Sequence, residues 1–181
     1  MGEPKALLRC KGLTFIETIC ENMRRAGIYD ITAVLGRHSE KITRCWRGGS
    51  ERVLVNPKPE EGQVSSLNLA LANMPSPADC AVVALVDLPL VSAEIYQSLI
   101  ETWRKNRGSA VIPRHRGKRG HPVILDCRIW PLCFAVPPDE GLHWVIHHKT
   151  VKAVDVDVDE DSVINDIDTP RDYDEFLKIH A

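Results

Sequence analysis

The sequence predicts an α/β domain, a sheet flanked by helices, and three observations carry that reading. Short β-rich runs alternate with longer amphipathic stretches, giving a β-α-β-α order. Cys80 to Val86 is almost wholly apolar, the pattern of a central parallel strand covered on both faces. The 181 residues suffice for one domain, spanning 1–181, with a single sizeable core. No internal repeat or low-complexity linker divides the chain.

The elements follow from local pattern. Leu13 to Ala26 reads as a helix with Phe15, Ile16, Ile19, Cys20 and Met23 on one face and Gly27 as its stop. Asp30 to Gly36 and Arg52 to Val55 are short strands, the second closed by Asn56-Pro57. Ser65 to Met74 reads as a helix burying Leu67, Leu71 and Met74. After the apolar strand, Ser92 caps a helix through Asn106, supported by Ile95, Leu99 and Trp103, with Gly108 past its end. Ser109 to Pro113 and Pro122 to Leu125 are strand-like and separated by the basic turn Arg114 to Gly120. Two strands so close form a hairpin-like insertion rather than another crossover unit. Val151 to Val158 alternates valine with aspartate or alanine, as a strand with one solvated face does. The last helix starts at Thr169-Pro170, with Asp172 in the position of a capping acid.

Composition excludes several classes of function. The apolar (44%) and charged (27%) fractions are those of an ordinary globular protein. A formal net charge of −2 gives no electrostatic reason to expect nucleic acid or an anionic membrane as partner. Phosphate binding therefore has to be local, made by a few residues in one cleft. No apolar run approaches the roughly 20 residues of a spanning helix, and the first residues lack a signal-peptide layout, so the expected compartment is the cytoplasm. Six cysteines without any C-x-x-C pair argue against a disulfide framework and a thiolate zinc site. His143, His147 and His148 are read as a solvated helix face in preference to a metal cluster.

Four segments carry candidate chemistry. Met1-Gly2-Glu3-Pro4-Lys5 sets a lysine directly after a turn, where it can neutralise nucleotide phosphates or be a plain exposed lysine. Asn56 to Leu67 (NPKPEEGQVSSL) leads into a helix whose start carries Ser65 and Ser66, suited to a ribose or phosphate and equally to N-capping. Asp87 lies at the carboxyl end of the most apolar strand, where open α/β sheets place ligands, and suits Mg²⁺. In Asn165-Asp166-Ile167-Asp168-Thr169-Pro170, alternation puts Asp166 and Asp168 on one side, where they complete a two-carboxylate metal site with Asp87. The acidic run Asp155 to Asp161 is expected to be a solvated face or loop.

Taken in order, M-G-x-P-K-x-L-L, N-P-x(4)-G-x-x-S-S-L, V-D-x-P-L-V, G-H-P-V and D-I-D-T-P-x-D-Y resemble the molybdenum-cofactor nucleotidyltransferase family, most closely its cytidylyltransferase branch. The resemblance covers almost the whole chain. It implies a three-layer α/β/α, nucleotide-diphospho-sugar-transferase-like (Rossmann-like) fold with a mixed sheet. It implies a Mg²⁺-dependent attack on the α-phosphate of a nucleoside triphosphate, CTP in this branch, with pyrophosphate leaving. The implied acceptor is a phosphorylated pterin such as molybdopterin, and a molybdoenzyme or its chaperone is the implied protein partner. By the same resemblance Lys5 meets the triphosphate, Gly62, Gln63, Ser65 and Ser66 line the nucleotide, and Asp87 holds the metal with Asp166 as second ligand. Asp168 then shapes the turn or caps the last helix, and Gly120, His121 and Pro122 lie near the acceptor.

Two departures from the pattern matter. The family's L-A-A-G-x-S-x-R stretch, which precedes Met-Gly and supplies phosphate-binding N–H groups and an arginine, is not in this sequence. A mid-sheet opening strand is missing with it, so the natural polypeptide is expected to start upstream of Met1. Where the family has Asp-x-Gly-Ala-Arg, this chain reads Asp139-Glu140-Gly141-Leu142-His143, which leaves the acceptor open. The alternatives are a non-catalytic nucleotide- or pterin-binding relative, and a nucleotidyltransferase acting on a sugar phosphate or another small phosphorylated acceptor.

Overall fold

The computed structural model describes residues 2–180; Met1, which opens the first motif, and Ala181 lie outside the described residues. The fold starts with a tight hairpin of β1 (Arg9–Cys10) and β2 (Leu13–Thr14), turning through Lys11 and Gly12 at φ 51° and 87°. Positive φ at both turn residues matches the twist of the flanking strands. Helix α1 (Phe15–Arg25) begins at a capping box: Thr14 Oγ1 accepts from Glu17 N while the Glu17 carboxylate accepts from Thr14 N at 2.8 Å. Its buried face, Phe15, Ile16, Ile19, Cys20 and Met23, is the one the periodicity predicts.

Two parallel strands follow, β3 (Thr32–Leu35) and β4 (Arg52–Val55), joined by α2 (Ser39–Cys45). At seven residues α2 is too short to show a helical repeat, and no local pattern announces it. Helix α3 (Gln63–Ala72) starts two residues earlier than Ser65, because Gly62, at φ 83°, is its N-cap. Then come β5 (Cys80–Val83) and α4 (Ala93–Lys105), capped by Ser92 as expected. The rest comprises β6 (Ser109–His115), β7 (Lys118–Arg119), β8 (Val123–Asp126), α5 (Trp130–Cys133), α6 (Leu142–Ile146), β9 (Lys152–Asp157) and α7 (Pro170–His180). None of these helices is long and apolar enough to cross a membrane.

The five-stranded mixed sheet runs β5-β8-β6-β9, with β7 beside the end of β6. The β6–β8 pair is antiparallel, the hairpin-like insertion the spacing predicts, and β9 lies parallel on the other edge of β6. One expectation is corrected here: the apolar run at Cys80 is neither a central strand nor paired in parallel. It ends at Val83 and sits at the sheet edge, antiparallel to β8. Its apolarity reflects helices on both faces. Cys80 and Val82 join the cluster under α1 and α4, whereas Ala81 and Val83 join the one under α3, α5 and α6. The same two-residue alternation divides Val111 and Ile124 from Ala110, Ile112, Val123 and Leu125.

Polar struts fix this sheet. Arg114 bonds Asp157 at 2.7 and 3.0 Å and Asp155 at 3.3 Å, and Arg119 reaches Asp155 at 2.7 Å. Asp155 and Asp157 thus form an ion-pair ladder along β6 and β9, where the sequence suggested only a solvated face. Asp126, fully buried, accepts from Trp103 Nε1 at 3.0 Å, Gly108 N at 2.8 Å and Arg128 N at 3.2 Å. Burial would raise its pKa, but the bonds from Gly108, Arg128 and Trp103 outweigh it and hold the carboxyl below 3.8. Gly120 donates to Pro113 O at 2.9 Å, and a Cβ there would lie 2.0 Å from the Val163 carbonyl oxygen.

Two stability predictions follow from these contacts. Gly120→Ala pushes a methyl into backbone and is expected to cost about 2–3 kcal/mol, read as a lower urea midpoint with an unchanged m-value. Asp126→Ala strands the Trp103 and Gly108 donors and is expected to cost about 3 kcal/mol. Because the folded pKa of Asp126 is depressed, its contribution is present above pH 3.8 and lost as pH falls through the folded value. A chemical-denaturation series on both variants from neutral to acid pH measures both effects.

Candidate active site

Of the residues picked out by sequence, Lys5, Asp87, Asp166, Asp168 and His121 are brought near one another where the chain continues past the carboxyl end of β5. Docking of α7 brings the far end of the chain there. Phe176 packs edge-on to Phe15 with ring centroids 5.4 Å apart. Tyr173 closes the contact, its hydroxyl donating to Arg9 O at 2.8 Å and accepting from Arg9 N at 3.1 Å. The start of α7 is fixed by its own capping box. The Asp172 carboxylate accepts from Thr169 N at 2.7 Å and Asp168 N at 3.1 Å, and Thr169 Oγ1 accepts from Asp172 N. The cap is therefore Thr169 with Asp172, and the Asp168 side chain is free for another partner.

That partner is Lys5. Held in a 3-10 turn after Pro4, Lys5 donates to Asp168 Oδ1 and lies 3.9 Å from Asp87 Oδ2. Asp87 follows β5, and its backbone carbonyl accepts from Ile167 N at 3.0 Å, which ties the two carboxylate-bearing segments together. Burial pushes the Asp87 carboxyl above its ordinary value of 3.8; Lys5 opposes the shift, and Asp168 and Asp166 add to it. Asp168 is held below 3.8, first by the Lys5 hydrogen bond, then by one with Asp166. The other carboxylate oxygen of Asp87, Oδ1, is buried and has no hydrogen-bond partner. An orphaned anionic oxygen beside two further carboxylates fits a hard divalent cation that takes few protein ligands and completes its shell with phosphate. Among the described residues no group of three or more His, Cys, Asp or Glu is arranged as an all-protein metal cage. His143 and His147 stack on each other at 4.0 Å.

On the β3–β4 side, Asn56 organises the loop into α3. Asn56 is buried, accepts from Lys58 N at 2.9 Å, and donates to Ser65 Oγ at 2.8 Å and Ser66 Oγ at 3.0 Å. Ser65 uses its own hydroxyl proton on the carbonyls of Gly62 (2.8 Å) or Lys58 (3.2 Å). Ser66 only accepts, so its O–H remains available to a ligand. The N-cap residue of α3, Gly62, has no side chain to cap the first turn, and its own N–H donates to Pro59 O at 3.3 Å. The loop composition pointed to this end of the helix but not to Asn56, whose role depends on a fold-back that no local pattern encodes.

Gly120, His121 and Pro122 form the return from the β6–β7 hairpin to β8. His121 N donates to Val163 O at 2.9 Å, and its Nδ1 lies 3.4 Å from Val83 O. Burial holds the imidazole below its ordinary 6.5, so it is neutral at pH 7, and Asp87 is close enough to oppose that shift. Lys5, Asp87, Asp166, Asp168 and His121 thus converge. The Gly62–Ser66 group belongs to the neighbouring strand pair and makes no hydrogen bond or ion pair with them. Gly120 is a packing residue wedged under Val163.

The model of the MobA-like NTP transferase domain matches residues 1–154. The chain is 30% identical over 175 residues to nicotine blue oxidoreductase of Paenarthrobacter nicotinovorans, covering 92% of this chain and 84% of that protein. It is 21% identical over 177 residues to molybdenum cofactor cytidylyltransferase of Escherichia coli K12, covering 96% and 86%. Among solved structures, Rv0371c of Mycobacterium tuberculosis H37Rv superposes with a TM-score of 0.87 at 23% identity, covering 98% of this chain and 90% of that one. Its manganese complex gives 0.84 at the same identity, covering 97% and 91%. With its mixed sheet, flanking helices and convergent carboxylates, the chain belongs to the MobA-like NTP transferase domain family.

Proposed function

We propose that the protein transfers a nucleoside monophosphate, CMP from CTP, to a phosphorylated acceptor of the pterin type such as molybdopterin, releasing pyrophosphate. The observation that carries this reading is the buried, unpartnered Oδ1 of Asp87 beside Lys5. A buried carboxylate oxygen without a hydrogen-bond partner and a lysine poised beside the same carboxylate suit a metal-bound triphosphate. Asp87 would hold Mg²⁺ with Asp166 as second ligand, since Asp168, the other carboxylate beside it, is already paired with Lys5. When bound, the cation supplies neutralisation of the charge on the transferring phosphoryl group.

The chain's own residues do the positioning. Lys5 supplies a point charge that can turn from Asp168 to a phosphate oxygen, since both are anionic acceptors. The N–H of Gln63 at the start of α3, with the Ser66 hydroxyl, can take ribose or phosphate oxygens, while Ser65 holds the loop in shape. His121, kept neutral and fixed through Val83 and Val163, can orient an acceptor as a hydrogen-bonding group without adding charge. An ionised phosphate nucleophile needs no general base, so alignment and charge neutralisation carry the rate.

Pyrophosphate release with CTP, GTP, ATP and UTP, in Mg²⁺ and in Mn²⁺, with pterin and sugar phosphate acceptors, tests the reading. CTP with a pterin phosphate is the expected pair. Release with none of them removes the transferase reading in favour of a binding module or redox chemistry. Asp87→Asn is expected to lower metal-dependent release by about a hundredfold or more, and wild-type activity in that variant removes the metal assignment. Lys5→Ala is expected to weaken nucleotide binding about tenfold, roughly 1.4 kcal/mol, with acceptor affinity unchanged, as read by calorimetric titration of each.

A further inference from the structure

The three histidines at α6 are not equivalent, and their contacts sort them. His143 lies in α6 and His147 is its C-cap, joined by a helical bond from His147 N to His143 O at 3.0 Å. Residues four apart on a helix share a face. The two rings lie 4.0 Å apart between centroids, with 32° between their planes, and both residues are exposed. His148 packs instead on Trp144, with centroids 5.3 Å apart.

The partner of each ring nitrogen fixes its proton. Nδ1 of His147 lies 2.9 Å from the backbone carbonyl of His143, which can only accept. In the neutral ring Nδ1 therefore carries the hydrogen and Nε2 keeps its lone pair. Nδ1 of His148 faces Thr150 N at 3.4 Å, which can only donate, so the hydrogen of that ring sits on Nε2. The Thr150 hydroxyl, 2.8 Å away, occupies the same Nδ1. His148 thus offers no open lone pair, whereas His147 does. The His143 ring contacts only the His147 ring, which leaves its nitrogens open as well.

A backbone carbonyl holding the far N–H is the usual support of a metal-binding imidazole. Nitrogen ligands stand about 2.0–2.1 Å from such an ion, so two of them in one shell come about 3 Å apart. Rotation of two exposed side chains one helical turn apart allows that approach. Among the described residues no third His, Cys, Asp or Glu completes a group with them. The pair is also remote from Asp87. β5 and β6 are both antiparallel to β8, and β9 is parallel to β6, so β5, β6 and β9 run the same way. Asp87 follows the carboxyl end of β5, while the histidines precede the amino end of β9.

We propose that His143 and His147 form a bidentate site for a divalent first-row transition metal, through Nε2 of His147 and one ring nitrogen of His143. Cu²⁺ binds most tightly and Ni²⁺ and Zn²⁺ less so, whereas Mg²⁺ prefers oxygen ligands and is refused. Water fills the remaining positions, and His148 takes no part. The site is independent of nucleotidyl transfer.

Calorimetric titration of the full chain with Cu²⁺, Ni²⁺ and Zn²⁺ tests this, in excess Mg²⁺ to occupy oxygen-ligand sites. The second imidazole binds intramolecularly, so His143→Ala and His147→Ala are each expected to weaken Cu²⁺ binding by about tenfold or more. His148→Ala is expected to keep the wild-type affinity. The electron paramagnetic resonance spectrum of bound Cu²⁺ is expected to show two imidazole nitrogens in the wild type and one in each of the first two variants. Equal affinity for the wild type and the double variant overturns the proposal. So does loss of binding in His148→Ala, or a copper spectrum without imidazole nitrogen.

Discussion

The Lys5 ammonium is the contact on which the arrangement of the active end depends. Three carboxylates, Asp87, Asp166 and Asp168, converge from two segments distant in sequence, and Lys5 is the one cation that favours the charged form of both Asp87 and Asp168. Without it, Asp87 would be a half-buried anion with only its own backbone N–H as counterweight. Lys5 can reach both sides only because α7 packs its aromatic face onto Phe15 and the β1–β2 hairpin, closing a loop of more than 160 residues. The apolar contact and the ionic one are therefore linked. Phe15, Tyr173 and Phe176 set the distance, and Lys5 sets the charge.

A division of labour runs through the rest of the molecule. Positions that look functional by composition are in part structural: Ser65 locks its loop, Gly120 clears the Val163 carbonyl, and Thr169 with Asp172 caps a helix. Each leaves that structural task off a neighbouring group: the Ser66 hydroxyl, the His121 ring and the Asp168 carboxylate, which pairs with Lys5 instead. The ion-pair ladder of Arg114, Arg119, Asp155 and Asp157 acts in the same way on the hairpin, holding its two strands to β9. These exposed pairs contribute little stability individually, of order 0–1 kcal/mol each; their effect is to fix geometry.

Much was legible in the sequence because the information is local. The faces of α1 and α4, the caps at Ser92 and Thr169, the strand Arg52–Val55 and the hairpin near Ser109 each follow from spacing within a dozen residues. Helix α2 and the short α5 were not legible, since fewer than eight residues show no repeat, and α6 was anticipated only as the helix face of His143 to His148, of which His143 alone lies within it. Lys5, Asp87 and the pair Asp166 and Asp168 could be singled out by motif order. Asn56 could not, because its two serine contacts form only when the loop folds back.

The sequence by itself determined which residues are apolar on one face, where helices start and stop, and which side chains have the charge for phosphate chemistry. Tertiary structure alone decided which carboxylate lies nearest Lys5, which serine keeps a free hydroxyl, and that the most apolar strand stands at an open edge. The reason is physical. Periodicity and capping are set by neighbours along the chain, whereas pairing partners, burial and the balance of charges at Asp87 are set by segments brought together across the fold.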